Sequence, residues 1–445
     1  MKPTVALAAV LTLAFAPPLV AQSPLAPAEK AIAAHVDAHA DEAVALLERA
    51  VNINSGTQNL EGVRKVGDLF RAEFDALGFT TSWVDLAEVN RAGHLVAEHK
   101  GRPGAPKVLL IGHLDTVFEP DSPFQKFERL DGNRAKGPGV TDMKGGNVII
   151  LQALRALKAA GALDSLHIVV VLTGDEEAAG RPLRIARKPL IDAAQGAIAA
   201  IGFEDGDGHP DHIVTARRGT TNWELRVTGK PAHSSQIFRD DIGYGAIFED
   251  ARALQEFRTE LAEQPHLTFN PGAILGGTSV EYDKAASRGT AFGKANVIAE
   301  QAVVTGDLRA LSPEQFETAR QTMERIAARS LGHTESTLTF DEGYPPMAPT
   351  EGNRRLLAML DQASRDLGLN PLVAVDPDRA GAADVSFVAG HVPMIIDALG
   401  LKGDGGHTVD ETGLLDTIAI QAKRAAVLLW RLKGTDPIIR PDARE

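Results

Sequence analysis

The sequence predicts an α/β protein with a smaller α+β unit inserted into it, and three observations carry that prediction. Short apolar runs alternate with helical apolar spacing through the first half of the chain. From about 213 to 342 the texture changes to alternating strands around two helix patterns. After 343 the first texture returns. Strands interleaved with helices build a sheet covered on both faces. A main domain split by an insertion accounts for this order better than two consecutive domains.

Residues 27 to about 78 show helical spacing, with Ala43, Leu46, Leu47, Ala50 and Val51 and then Val63, Val66, Leu69, Phe70, Phe74 and Leu77, stopped at Gly78. The runs 94–98, 108–111, 168–172 and 197–201 read as strands, and 144–160 as a helix ending at Gly161. Strands over 221–228, 297–309 and 334–340 and helices over 242–263 and 312–331 fill the insertion. Ser312 caps the second of those helices, with Pro313 at its first position. A helix over 352–367, a strand over 392–397 and a helix over 411–432 complete the main domain. The domain reading is therefore 27–212 with 343–434, and 213–342 inserted.

Composition narrows the classes. The 445 residues exceed one small core, and 44% hydrophobic with 24% charged residues excludes a disordered, collagen-like or multi-span membrane chain. Lys and Arg number 46 against 59 Asp and Glu, a net charge of −13 that argues against a nucleic-acid partner. Zero cysteines exclude disulfides, thiolate metal sites and cysteine nucleophiles. At the start, Met1-Lys2 precedes an uncharged, mostly apolar run from Val5 to Ala16, shorter than the about 20 residues a spanning helix needs. Residues 1–21 thus read as a secretory signal peptide, cleaved after Ala21 or Ala26, and the mature protein is expected to be exported, periplasmic or secreted. No cysteine follows the apolar run, so no lipid or other stable membrane anchor is expected.

Four apolar strands run into segments rich in metal-ligand types: Gly112-His113-Leu114-Asp115, Thr173-Gly174-Asp175-Glu176-Glu177, Gly202-Phe203-Glu204-Asp205 and, through a glycine-rich stretch, Gly405-Gly406-His407-Thr408. In open α/β sheets ligands bind beyond the carboxyl ends of the strands, so these segments converge on one rim. A fifth, Gly137 to Gly146, is a turn-rich loop carrying Asp142 into the 144–160 helix. Imidazoles and carboxylates without thiolates suit zinc, cobalt or manganese. A carboxylate can bridge two metals about 3.5–4 Å apart, and Asp142 fits that place best. Glu176 and Glu177 are adjacent and cannot both point the same way along an extended chain, so one can ligate while the other serves as a base.

The strings GHLDTV, GPGVTDMKGG, TGDEEAAG, GFEDG and GGHTVDE resemble those of the zinc-dependent metallopeptidase family of carboxypeptidase G, acetylornithine deacetylase and succinyl-diaminopimelate desuccinylase, in the same order over nearly the whole mature chain. The resemblance implies a zinc-peptidase-like domain with a mixed central sheet flanked by helices, an inserted dimerisation (lid) domain, and two divalent metal ions, zinc foremost. It implies His113, Asp142 and Glu204 on one metal, Asp142, Glu177 and His407 on the other, Glu176 as general base, and Asp115 orienting His113. His233 in GKPAHS resembles the histidine that supports the tetrahedral intermediate, often in the partner subunit's site. Asn296 and Arg309 resemble the pair that binds the substrate carboxylate, and a guanidinium fork suits that task. The implied reaction is cleavage of an amide or peptide bond beside a free carboxylate, by a metal-bridging water with a glutamate base, on a small peptide or N-acyl amino acid. An N-acyl amino acid deacylase or dipeptidase is the alternative within the family, and a non-catalytic peptide- or metal-binding protein the alternative outside it.

Plainer readings compete at several positions. Arg309 could pair with Asp307 or Glu281, Asn296 could cap a turn, and His233 could be a surface histidine. His209 and His212 read as solvated loop residues among Gly206, Gly208 and Pro210, and Asp175 as a turn former. One segment departs from the family pattern: Arg379-Ala-Gly-Ala-Ala-Asp384 stands where a GGTDA-type loop is usual.

Overall fold

Three helices open the described chain, which in this computed structural model comprises residues 25–435; the signal peptide predicted over 1–21 lies outside the described residues. The single helical pattern read over 27–78 is broken into α1 (Pro27–Ala38), α2 (Ala40–Val51) and α3 (Leu60–Ala76). Asn59 caps α3, its side chain accepting from Gly62 N at 3.1 Å, and Val63, Val66, Phe70 and Phe74 turn inward at helical spacing.

The central sheet uses β1 (Thr80–Leu86), β2 (Arg91–His99), β3 (Lys107–His113), β4 (His167–Thr173) and β5 (Ala197–Gly202), with α4 (Gly145–Ala159) between β3 and β4. A sixth strand, added after the insertion, gives the order β1-β2-β4-β3-β5-β10, where β10 is Ile395–Ile396. The β1, β2 and β4 pairings are antiparallel, and β4, β3, β5 and β10 run parallel, so the sheet is mixed. The strands alternate their side chains between two cores. Val108, Leu110, Ile168 and Val170 meet α4, while Leu109, Ile111, Val169 and Val171 face Leu190, Val385 and Val388.

The insertion folds around its own sheet. β6 (Gly219–Gly229), β7 (Thr268–Gly277), β8 (Gln301–Ala310) and β9 (Thr334–Phe340) pair antiparallel in the order β7-β8-β6-β9. α5 (Ala246–Leu261) and α6 (Pro313–Ala327) cover one face, where Trp223, Leu225, Val227, Phe257, Leu308 and Met323 form a separate core. Alternation puts Thr220, Asn222, Asp307 and Arg309 on the uncovered face. Neither β7 nor the hairpin Ser279–Asp283/Arg288–Phe292 was expected from the sequence. β7 contains Asn270-Pro271-Gly272, which reads as a turn, and an edge strand tolerates the proline.

The main domain closes with α7 (Glu351–Asp366) and α8 (Asp416–Leu432). α8 starts later than the predicted 411 because Thr412–Leu414 pairs with Arg134–Lys136 as a short strand. The two connections to the insertion run side by side: Arg217 pairs with Met347, and Thr220 N donates to Tyr344 O at 3.0 Å. No helix among the described residues is long and apolar enough to cross a membrane.

Candidate active site

β3 lies between β4 and β5, so the residues leaving these strands meet at one end of the sheet. His113 ends β3, Glu176 and Glu177 follow β4, and Glu204 follows β5. The side chains of His113, Asp142 and Glu204 offer ligand atoms within 4.8 Å of one another, and those of Asp142, Glu177 and His407 do the same. Asp142 belongs to both groups. Its Oδ1 is 2.8 Å from His113 Nε2 and its Oδ2 is 3.0 Å from His407 Nε2, so its two oxygens face the two halves of the site. Glu177 Oε2 lies 3.1 Å from His407, and Glu204 Oε1 lies 3.6 Å from His113.

The segments carrying Asp142, His113, Glu177 and Glu204 are held from behind. The Glu411 carboxylate accepts Gly139 N (3.0 Å), Thr141 N (2.8 Å) and Asp142 N (3.2 Å), together with the Thr141 hydroxyl (3.0 Å). That one buried carboxylate shapes the loop that presents Asp142, and burial pushes its pKa up to about 7. Gly139 sits in the left-handed region at φ 75°, where a side chain would also meet Thr116 at 2.7 Å. Asp115 Oδ1 accepts Glu176 N at 3.0 Å, and its Oδ2 accepts Glu177 N at 3.1 Å and the Thr57 hydroxyl at 2.6 Å. His113 Nδ1 lies 3.1 Å from the Asp115 carbonyl and 3.4 Å from its carboxylate. Asp115 therefore stands against His113 Nδ1, where the resemblance would have it, and also holds the Glu176 and Glu177 backbone N–H groups, which the sequence did not show. Asp397 Oδ1 accepts Glu204 N at 3.2 Å and pairs through Oδ2 with Arg217 at 2.8 Å.

Charge in this rim is unbalanced. Burial, reinforced by Asp384, pushes the Glu176 carboxyl well above the usual range. Burial raises Glu204 and Glu177 as well. Hydrogen bonds to Asp142 and Glu177 lift His407 to about 11. Clustered carboxylates of this kind need positive charge, and Glu177 Oε1 is buried without a hydrogen-bond partner among the described residues. An imidazole–carboxylate donor set, a shared aspartate and an orphaned buried oxygen fit a pair of divalent cations.

A cavity of about 640 Å³ opens over Glu176, Glu177 and His407 and reaches Arg309, Tyr344 and Arg91. Arg309 thus comes to the site, and its Nε donates to Asp307 at 2.8 Å, the ion pair that the plainer reading expected. His233 and Asn296 do not line this cavity. Both are exposed on the insertion and adjacent to each other, His233 bridging to Val297 and Ser234 N donating to Asn296 O at 2.9 Å. Asp175 shapes its turn as expected, accepting Gly180 N at 2.8 Å, and His212 pairs with Asp207 at 2.9 Å, away from both ligand groups. Glu411, Tyr344 and Arg187 were not singled out from the sequence. Glu411 lay within the string GGHTVDE, whereas the other two carried no local signal.

Imidazoles and carboxylates gathered at parallel strand ends, with one glutamate left beside the ligand groups, define the class of metal-dependent amide hydrolases. The model of peptidase family M20/M25/M40 matches residues 109–431, and the chain belongs to that family. Carboxypeptidase G2 of Pseudomonas sp. (strain RS-16) is 28% identical over 431 residues, covering 94% of this chain and 96% of that protein. Acetylornithine deacetylase of Pasteurella multocida is 28% identical over 229 residues, 49% of this chain and 57% of its own length. The fold is that of the aminopeptidase PepT of Bacillus cereus, with a TM-score of 0.71 at 18% identity over 88% of this chain and 98% of that one. A metallo-carboxypeptidase of Sulfolobus solfataricus superposes with a TM-score of 0.62 at 15% identity, over 88% and 99%. The chain is an enzyme, a hydrolase of the carboxypeptidase-like type.

Proposed function

We propose that this hydrolase cleaves an amide or peptide bond adjacent to a free carboxylate, using two divalent metal ions, zinc foremost, with Glu176 as general base. The observation that carries the reading is Asp142, whose two oxygens face His113 and His407 in two overlapping ligand groups, with Glu176 beside them. Bound in those groups, the ions would supply Lewis acidity and lower the pKa of water.

The chain's own residues do the rest. Glu176, in its buried and electronegative position, takes a proton from the attacking water and returns it to the leaving amine nitrogen. Asp115 and Tyr344 hold its backbone N–H and C=O, so the carboxylate is presented without reorganisation. Arg309 binds the substrate carboxylate through the terminal nitrogens that its pairing with Asp307 leaves unengaged.

His233 and Asn296 act in the site of a second copy of the chain, because each stands exposed and outside the cavity of its own chain. A homodimer through the insertion supplies that copy. Ile247 and Phe248 on α5 and Ile274 on β7 are 49%, 49% and 58% exposed, and β7 leaves one edge unpaired. The short apolar segment near the start supports export of the mature enzyme after removal of a signal peptide.

The test is the purified, zinc-loaded protein assayed on C-terminally free dipeptides and N-acyl amino acids, beside Glu176→Ala. Turnover by the parent, lost on chelation and restored by zinc, is expected. Glu176→Ala should retain both metals and lose turnover by a factor of about 10³ or more. Activity retained in that variant removes Glu176 as the base, and no hydrolysis of any free-carboxylate substrate removes the reading.

A further inference from the structure

Tyr344 stands where the insertion joins the main domain, and its side chain reaches back to the turn that carries Glu176. Its hydroxyl donates to the Glu176 carbonyl at 2.9 Å and accepts from Arg187 Nη2 at 2.8 Å. Arg187 is completely buried, paired with Asp175 at 2.5 Å and Asp384 at 2.8 Å, and its guanidinium carbon lies 5.7 and 5.4 Å from the ring centres of Tyr344 and Phe387. Asp384 in turn accepts the hydroxyl of Thr173, the last residue of β4, at 2.6 Å. The phenol is therefore anchored to the main domain at a fixed point.

The backbone of Tyr344 belongs to the junction. Its carbonyl accepts Thr220 N, and Thr220 is the cross-strand partner of Arg309 in the β6–β8 pairing. One strand pairing, one bridge and one hydrogen bond thus connect Arg309, on the insertion, to Glu176, on the main domain. A phenol has a single O–H, and that of Tyr344 is used on the Glu176 carbonyl. It has no donor left for a substrate in the cavity, so the proton of its hydroxyl bears on the reaction only through Glu176.

We propose that Tyr344 is a positioning residue that sets the orientation of Glu176 and couples it to the seating of the insertion. This rests on Glu176 being the general base. Asp115 fixes the N–H side of that residue from within the main domain, and Tyr344 fixes its C=O side from the junction. A base displaced by a fraction of an ångström loses much of its rate while binding is untouched.

The experiment uses the zinc-loaded full chain and one N-acyl amino acid substrate with a free carboxylate. Tyr344→Phe keeps the ring and removes only the hydroxyl. We expect kcat to fall by about 10- to 100-fold, with KM within about 2-fold of the parent and metal content unchanged. The same substitution on a Glu176→Asp background, where the carboxylate is already withdrawn by one methylene, should cost less than about 3-fold more. The proposal is overturned if Tyr344→Phe keeps kcat within about 2-fold, if its loss appears in KM or as lost metal, or if the two substitutions multiply independently. Glu176→Ala, run in parallel, separates the two claims. An active Glu176→Ala refutes the base itself, whereas an inactive Glu176→Ala beside a fully active Tyr344→Phe refutes only the coupling.

Discussion

The carboxylate of Asp115 accepts the backbone N–H of Glu176 at 3.0 Å, and with its other oxygen that of Glu177 at 3.1 Å. One side chain thereby sets the direction of both the proposed base and a proposed metal ligand while lying against the imidazole of His113. Asp115→Asn keeps the shape but replaces one acceptor oxygen with a donor that opposes an N–H. We expect kcat to drop by about 10²-fold and zinc affinity by about 10- to 100-fold. Steady-state kinetics and competition with a chelator of known affinity check both. Parent-like values for both would show that the two backbone bonds are dispensable.

Glu411 supports the loop that carries Asp142 through four hydrogen bonds and does not line the cavity. Glu411→Ala leaves three backbone donors and a hydroxyl unsatisfied in a buried loop. A loss of roughly 2–4 kcal/mol of stability is expected, with weaker zinc retention after dialysis. Thermal unfolding and metal analysis of the dialysed variant measure it. Glu411→Gln should fall between the two, because it keeps one acceptor oxygen.

Asp250 gives a pH dependence unrelated to the metals. It is buried in α5, neither oxygen has a hydrogen-bond partner among the described residues, and burial next to Glu249 pushes its pKa up to about 7. The folded state thus holds a proton that the unfolded chain releases near 3.8. Below pH 4 both states are protonated and Asp250 has no effect. As pH rises from 4 to 7 the unfolded state ionises first and stability falls, and above pH 7 the full penalty applies. Asp250→Asn should therefore be near neutral at pH 4 and stabilising at pH 8 by roughly 2–4 kcal/mol. Denaturant unfolding of both proteins at the two pH values checks the sign. An equal difference at both would contradict it.

Much of this was legible in the sequence, and the physical reason is locality. Each member of the two ligand groups except Asp142 follows its strand within four residues or stands in a glycine turn, so His113, Glu177, Glu204 and His407 could be singled out as candidates by what precedes them. The main sheet was readable because β3, β4 and β5 are buried on both faces and form continuous apolar runs. β7 was not, since an exposed edge strand containing Pro271 lacks that run. Arg187, Tyr344 and Asp384 were invisible as a group because nothing local joins positions 157 and 40 residues apart. Asp384 lay in the departing segment 379–384, and the structure gives it a role as the buried partner of Arg187. Arg309 could be read two ways from sequence, and in the structure it both pairs with Asp307 and lines the cavity.

The proposed activity stands most directly on a requirement for a free carboxylate beside the scissile bond. The measurement is kcat/KM of the zinc-loaded enzyme on one N-acyl amino acid and on its C-terminal amide, each repeated with Arg309→Ala. The parent should prefer the free acid by about 10²-fold or more, and Arg309→Ala should lose most of that preference by slowing the acid alone. Equal rates on acid and amide, or a preference untouched by the loss of Arg309, would contradict it.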